Sequence, residues 1–264
     1  MNEKKLTRDI IIKTLTEALE TLNYVYAFYE GGAAAFSRID KWSDIDLYLV
    51  VDNEKVDDAF LDVEKALKSL SPIKQKFKTP QLPWPGVSQA FYKLEKASEY
   101  LLIDLAVIKL SAPEKFLEPQ THGNAVFYIN KSTKISQPRF DKEAFLNKFQ
   151  GRLEILHTRF AMFNNLVQKE MNRGNHLEAI EWYHAFTLAT LVEALRLKYN
   201  PIHHDFKLRY IHYELPPGII KKLEQLYFIN DEKDLQEKYR KASKWFRETM
   251  SNMSSKVIER LIKS

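Results

Sequence analysis

Asp44 and Asp46 lie two residues apart where an apolar stretch begins, running from Ile45 to Val51, and Asp104 sits inside the run Leu101-Leu-Ile-Asp-Leu-Ala-Val-Ile108. Side chains alternate between the faces of an extended backbone, so Asp44, Asp46 and Tyr48 share one face while Ile45, Leu47 and Leu49 take the other. Two carboxylates on one face can hold one hard cation. Magnesium suits such a pair, because it takes oxygen ligands, keeps several waters and binds through few carboxylates together with substrate phosphates. A carboxylate within an apolar run is costly to bury unpaired, so Asp104 is expected either to face solvent or to meet a cationic partner. On a neighbouring strand it would complete a two-ion clamp with ions roughly 3.5–4 Å apart. Asp-x-Asp and the Gly31-Gly32 pair are each common alone. Their order along the chain carries the information.

The elements around these residues follow from periodicity. Leu6 to Leu22 has the apolar spacing of an amphipathic helix, and Tyr24 to Tyr29 reads as a strand ending at Gly31-Gly32, with a helical turn over Ala33–Phe36. Phe60 to Leu70 is a second helix. The stretch from Ser71 through Lys74, Lys76 and Lys78 to Gly86, with Pro80, Pro83 and Pro85, is expected to stay irregular. Gln89–Leu94 and Tyr100–Ile108 make a hairpin. Beyond Ser136-Gln-Pro138 everything has helical spacing: one helix through Phe145, Phe149, Leu153, Leu156, Phe160 and Phe163 that breaks near Arg173-Gly174-Asn175, a second over Leu177–Tyr199, a third over Ile219–Phe228, and a last over Leu235–Ile262. The expected fold class is α+β, a mixed sheet with helices on one side, followed by an all-α helical bundle. The domains divide as 1–137 and 138–264.

With 264 residues, 45% hydrophobic and only 7 Gly, the chain is an ordered globular protein rather than a collagen-like or disordered one. It has no cysteine, which excludes disulfides, thiolate metal sites and cysteine nucleophiles. Met1–Lys5 leads into no unbroken apolar stretch, and no segment approaches the ~18 apolar residues of a membrane span, so the expected location is cytoplasmic. Residues 1–137 carry 18 Lys and Arg against 19 Asp and Glu, and residues 138–264 carry 22 against 16. A basic second half points to an anionic ligand or nucleic acid, but its charges are spread over helical faces, and a solvated helix surface explains them at least as well.

The segment Gly32-Ala-Ala-Ala-Phe-Ser37-Arg38-Ile-Asp-Lys-Trp-Ser43-Asp44-Ile-Asp46-Leu47 resembles the signature of the polymerase-beta-like nucleotidyltransferase superfamily: a glycine turn, about ten residues, then an acidic-hydrophobic-acidic triplet. The layout of a catalytic half followed by helices is similar to that of antibiotic nucleotidyltransferases acting on aminoglycosides or lincosamides, with a looser echo in Lys207-Leu-Arg209-Tyr210 and Glu214-Leu-Pro216. The resemblance implies a magnesium-dependent transfer of a nucleoside monophosphate from an NTP, ATP being the expected one, to a hydroxyl of a small acceptor, an antibiotic among the candidates. It implies that Asp44, Asp46 and Asp104 hold metal, with Asp104 placed to accept the hydroxyl proton. Phosphate then falls to Gly31, Gly32, Ala33, Arg38 and Ser43. Ala33 stands where serine is customary, which leaves the phosphate contact there to backbone N–H groups.

Lys207 and Arg209 are candidates for triphosphate oxygens, and Glu178 and Glu181 for the acceptor, with Glu193 on the same helix as a further carboxylate. Trp42, Trp84 and Trp182 are candidate stacking surfaces. Arg152 and His157 have the spacing of a helical ribonuclease-toxin motif, but an apolar stripe accounts for their helix. His203-His204-Asp205 reads as a polar loop rather than a metal cluster. The alternative to an enzyme is a catalytically silent protein on the same fold that binds NTP or nucleic acid; monomer and homodimer are both open.

Overall fold

The structure, a computed structural model, describes residues 6–133 and 135–253. The expected run of the last helix to Ile262, like the reading of Met1–Lys5, lies partly or wholly outside these residues. The chain divides into two compact units, Met1–Phe140 and Asp141–Ser264.

In the first unit the elements are α1 (Arg8–Glu20), β1 (Val25–Glu30), α2 (Gly32–Ala35), β2 (Ile45–Val51), α3 (Val56–Leu70), β3 (Ile73–Lys78), β4 (Val87–Leu94), β5 (Ile103–Lys109), α4 (Pro119–His122) and β6 (Val126–Asn130). The strands form one six-stranded sheet in the order β3-β4-β5-β2-β1-β6. It is mixed: β2 and β5 run parallel, and the other neighbours antiparallel. The alternation in β2 does what its sequence implies. Ile45, Leu47 and Leu49 join Phe28, Ile103, Leu105 and Val107 in a core closed by Ile11, Leu15 and Leu19 of α1 and by Phe60, Val63 and Leu67 of α3. The opposite face is covered over β1 and its neighbours by Tyr29, Ile108, Leu117 and Ile135 with Tyr48, Phe116 and Phe127.

Two expectations need correction. Lys74, Lys76 and Lys78 belong to a strand, β3, at the edge of the sheet instead of a loop; Lys76 reaches Glu64 of α3 at 2.5 Å and Lys78 reaches Asp57 of α3 at 3.1 Å. β6 also escaped the periodicity reading.

The second unit is helical: α5 (Lys142–Phe163), α6 (Leu166–Arg173), α7 (His176–Trp182), a π-helical turn (Tyr183–Leu188), α8 (Ala189–Tyr199), a 3₁₀ turn (Pro201–His203), α9 (Ile211–Glu214), α10 (Pro217–Tyr227) and α11 (Glu232–Ser251). The single helix expected up to Arg173 is interrupted after Phe163. Buried Asn164 accounts for this, since its amide bonds Tyr239 and Ser243 of α11 and its carbonyl oxygen accepts from Thr187 at 2.7 Å. Gly174 then ends α6 with φ 75°. The core holds Phe149, Leu156, Leu188, Leu191, Leu195, Leu223 and Phe246. Among the described residues no helix is long and apolar enough to cross a membrane.

Candidate active site

β2 delivers its aspartates through local geometry. Asp40 and Ser43 close a tight turn, with Trp42 N donating to Asp40 Oδ1 at 2.8 Å and Ser43 Oγ at 3.0 Å from the same oxygen. These bonds hold the Asp40 carboxyl below its usual range. Asp44 follows as an exposed residue, and Asp46 lies inside β2 directly opposite Asp104 of β5. Because that ladder is parallel and in register, both carboxylates leave the same face of the sheet as neighbours.

The glycine turn abuts this pair. Gly31 N donates to Asp46 O at 2.9 Å, and Gly32, at φ +52°, stands where a Cβ would lie 1.7 Å from Asp46 Oδ2. Only glycine fits that position, on backbone conformation and on space alike. Gly32→Ala is therefore expected to push the Asp46 carboxylate aside. A displacement of about 1 Å costs on the order of 100-fold in rate; steady-state turnover of the purified variant checks this, and a wild-type rate would contradict it.

Asp104 is half-buried. Burial raises its carboxyl to about 6, Asp46 and Asp44 push the same way, and the hydrogen bond from Gln89 Nε2, at 2.7 Å, opposes them. The partner of Asp104 is thus an amide and not a cation, and its charge remains to be balanced. The three carboxylates fit a hard divalent cation on this ground: negative charge converges and is partly desolvated. They do not close to within 4.8 Å of one another as a set. Among the described residues the set that does is Glu114, Glu118 and His122, where Glu118 and His122 face each other one helical turn apart at 3.5 Å.

A buried cluster that the sequence reading missed braces the site from beneath. Glu30, 1% exposed, is the last residue before the glycine turn; it pairs with Arg8 and accepts from Tyr128 Oη at 2.6 Å. The Arg8 guanidinium also donates to Asp44 O at 2.7 Å. One cation therefore ties the glycine turn to the start of β2. The signal in the sequence was a glutamate closing an aromatic strand with no polar neighbour.

Of the other expected residues, Ala33 lies in α2 and accepts from Arg38 N at 2.8 Å, and the Arg38 guanidinium covers Phe36. Trp42 packs edge-on against Tyr100 at 5.0 Å, both rings exposed, and Trp84 packs edge-on against Phe116.

In the helical unit, Lys207 and Glu181 line one cavity of about 610 Å³, with Arg152, His184, Glu193 and His204. Glu178 and Arg209 lie outside its lining. Arg209 instead stacks over Phe206 and Tyr210. Glu193 is clamped by Arg152, with Nη2 to Oε2 at 2.7 Å; burial would raise its carboxyl, but the Arg152 hydrogen bonds and the nearby His204 ring, 3.6 Å away, outweigh that and hold it at about 2, too low for a general base near neutrality. Arg152 thus has a structural partner, while His157 lines a different hollow beside Phe160 and Arg247. His203 and His204 diverge, the first to Glu214 at 2.8 Å and the second toward Glu193 at 3.6 Å.

The backbone of the Lys207–Arg209 loop is gathered by fully buried Arg196. Its Nε donates to Lys207 O at 2.6 Å, Nη2 donates to Arg209 O, and Nη1 pairs with Glu214 at 2.6 Å.

No protein-family profile and no curated protein matches the chain. Among solved structures it is similar to a STING-associated CdnE c-di-GMP synthase from Capnocytophaga granulosa, at 14% identity over 93% of this chain and 79% of that one, with a TM-score of 0.29. A likeness that loose carries no argument about fold or reaction.

Proposed function

We propose that the protein is a magnesium-dependent nucleotidyltransferase that moves a nucleoside monophosphate from an NTP, with ATP the first to test, to a hydroxyl of a small acceptor. The observation that supports this most is the register of Asp46 with Asp104 beside a glycine turn that leaves no room for a side chain. Asp44, Asp46 and Asp104 would hold the metal, which when bound supplies charge neutralisation of the triphosphate and activation of the attacking oxygen. The backbone amides of Gly32 and Ala33 orient phosphate, with Arg38 and Ser43 at the flank of the turn. Asp104 receives the hydroxyl proton. The acceptor oxygen forms its bond to the α-phosphorus, the bond from that phosphorus to the α–β bridging oxygen breaks, and pyrophosphate leaves with the electron pair. In this reading residues 1–137 are the catalytic domain and residues 138–264 are a helical domain of their own.

Thermal melting tests the reading directly. A cation offsets the desolvated, mutually repelling carboxylates, so magnesium with NTP is expected to raise the melting temperature of the wild type, by about the equivalent of 2.7 kcal/mol at ligand concentrations 100-fold above Kd. Asp104→Ala should lose most of that shift. If the shift persists in the variant, Asp104 has no part in ligand binding; if the wild type shows neither a shift nor pyrophosphate release across a panel of acceptors, the reading fails.

A further inference from the structure

The carboxylate face carries an aromatic feature on the half of the sheet that the second core leaves open. Phe77 of β3 lies directly opposite Phe91 of β4, Phe91 lies opposite Asp104 of β5, and Asp104 lies opposite Asp46 of β2. Directly opposed residues share a face. One row therefore runs Phe77, Phe91, Asp104, Asp46, and ends where Gly31 N meets Asp46 O. At a strand spacing of ~4.8 Å, the backbones of Phe91 and Phe77 stand roughly 5 and 10 Å beyond that of Asp104. The two rings stack, with centroids 6.2 Å apart and planes 22° from parallel, and Phe77 is 60% exposed. With Gln75, Lys93 and Leu102 they border a concavity of about 380 Å³. A bare phenylalanine on an edge strand is a liability for sheet-to-sheet association, so this exposure needs a reason.

In-line displacement orders the row. The leaving pyrophosphate and the attacking oxygen lie on opposite sides of the α-phosphorus. With phosphates at the glycine turn, on the β1 side of Asp46, the attacking hydroxyl approaches from the β4 and β3 side of Asp104. The stacked rings are on that side.

We propose that the Phe77–Phe91 pair is the stacking ledge for the base of a nucleotide acceptor, with the Lys93 ammonium and the Gln75 amide at its border to meet the acceptor's phosphate and polar ring edge. The assignment rests on the transfer reaction proposed above and names its acceptor class. A ribose hydroxyl of that nucleotide is the group that forms the new bond to the α-phosphorus as pyrophosphate departs, its proton passing to the site. The flat ring fits the exposed phenyl face of Phe77, and the basic side chain complements the phosphate.

Calorimetric titration of the full chain tests this, with magnesium and a saturating non-hydrolysable ATP analogue present. The probes are AMP, GMP, CMP and UMP, with ribose 5-phosphate as the base-free control. Stacking of a base on an aromatic side chain is worth about 5- to 150-fold in affinity. At least one nucleotide is expected to bind about ten-fold or more tightly than ribose 5-phosphate. Phe77→Ala, at an exposed position, should erase that difference and Phe77→Trp should keep it, with affinity for the ATP analogue unchanged in both. Equal binding of all five probes overturns the ledge, as does a difference that survives Phe77→Ala. A loss confined to the ATP analogue also overturns it, since the ring would then belong to the donor. Failure of the transfer reaction looks different: the analogue gives no binding heat on the wild type, while titration of the nucleotides alone still reads the ledge.

Discussion

Replacing Asp46 by asparagine is expected to lower nucleotidyl transfer by about three orders of magnitude or more while leaving the melting temperature unchanged or slightly raised. The first part follows from charge. A metal-bound phosphoryl group draws several kcal/mol of stabilisation from its ligands' field, and each 1.36 kcal/mol is ten-fold in rate. The second part follows from what surrounds Asp46. The substitution is nearly isosteric against Gly32, and the repulsion of Asp104 that it removes offsets the attraction to Arg8 that it gives up. A side chain with a structural role alone would behave in the opposite way, losing stability and keeping its rate. Paired measurement of turnover and melting for Asp46→Asn and Asp44→Asn separates these outcomes, and wild-type-like turnover in either variant would sink the metal assignment.

Arg196→Met should be the most destabilising single change in the helical unit, at about 3–5 kcal/mol, because it breaks a buried ion pair from one side. Glu214 would be left as a carboxylate only 3% exposed without its guanidinium, and the carbonyls of Lys207 and Arg209 would lose their donor. The melting temperature of that unit should fall by on the order of 10 °C. Arg196→Lys should rescue little, since three divergent partners need the guanidinium fork. The pH dependence has a definite sign. Burial alone would raise the Glu214 carboxyl, but hydrogen bonds from His203 and Arg196 bring it down to about 2. A carboxyl depressed in the folded state contributes stability that is present above its ordinary value near 4.5 and is lost as pH falls toward 2. Wild-type melting should therefore decline across that window. The decline should be shallower in Arg196→Met, and equal slopes would show that Glu214 does not draw its stability from Arg196.

The residues that sequence alone exposed and those it hid differ for a physical reason. Asp104 stood out because a carboxylate inside Leu101–Ile108 violates the apolar pattern. Arg196 violates the run Leu191-Val-Glu-Ala-Leu-Arg-Leu197 in the same way, yet on a helix a charged residue every few positions passes for a solvated stripe. Burial on all sides is invisible to periodicity. Lys207 and Arg209 drew notice for their charge, whereas their backbone carbonyls are what the fold uses. β3 was hidden because its lysines, two of which pair with α3, look like loop residues, so the alternation that places Phe77 on the carboxylate face was never read. The Asp44–Asp46 pair and the glycine turn were legible since both depend on local chain geometry. The union of Asp46 with Asp104, and the Arg8–Glu30 brace beneath them, depends on pairings between distant segments.

That distance has a consequence for how the site comes into being. Among the described residues, β2 and β5 are the named strands that pair in parallel, and α3 and the β3–β4 hairpin intervene between them. Parallel pairing of remote segments closes a long loop before its hydrogen bonds repay the lost chain entropy, which makes it a slow step in folding. The candidate centre is thus assembled by that closure and is absent from a partly folded chain in which β1 and β2 have paired but β5 has not. Such an intermediate would carry Asp44, Asp46 and the glycine turn, yet it would lack the opposing carboxylate until β5 is in place.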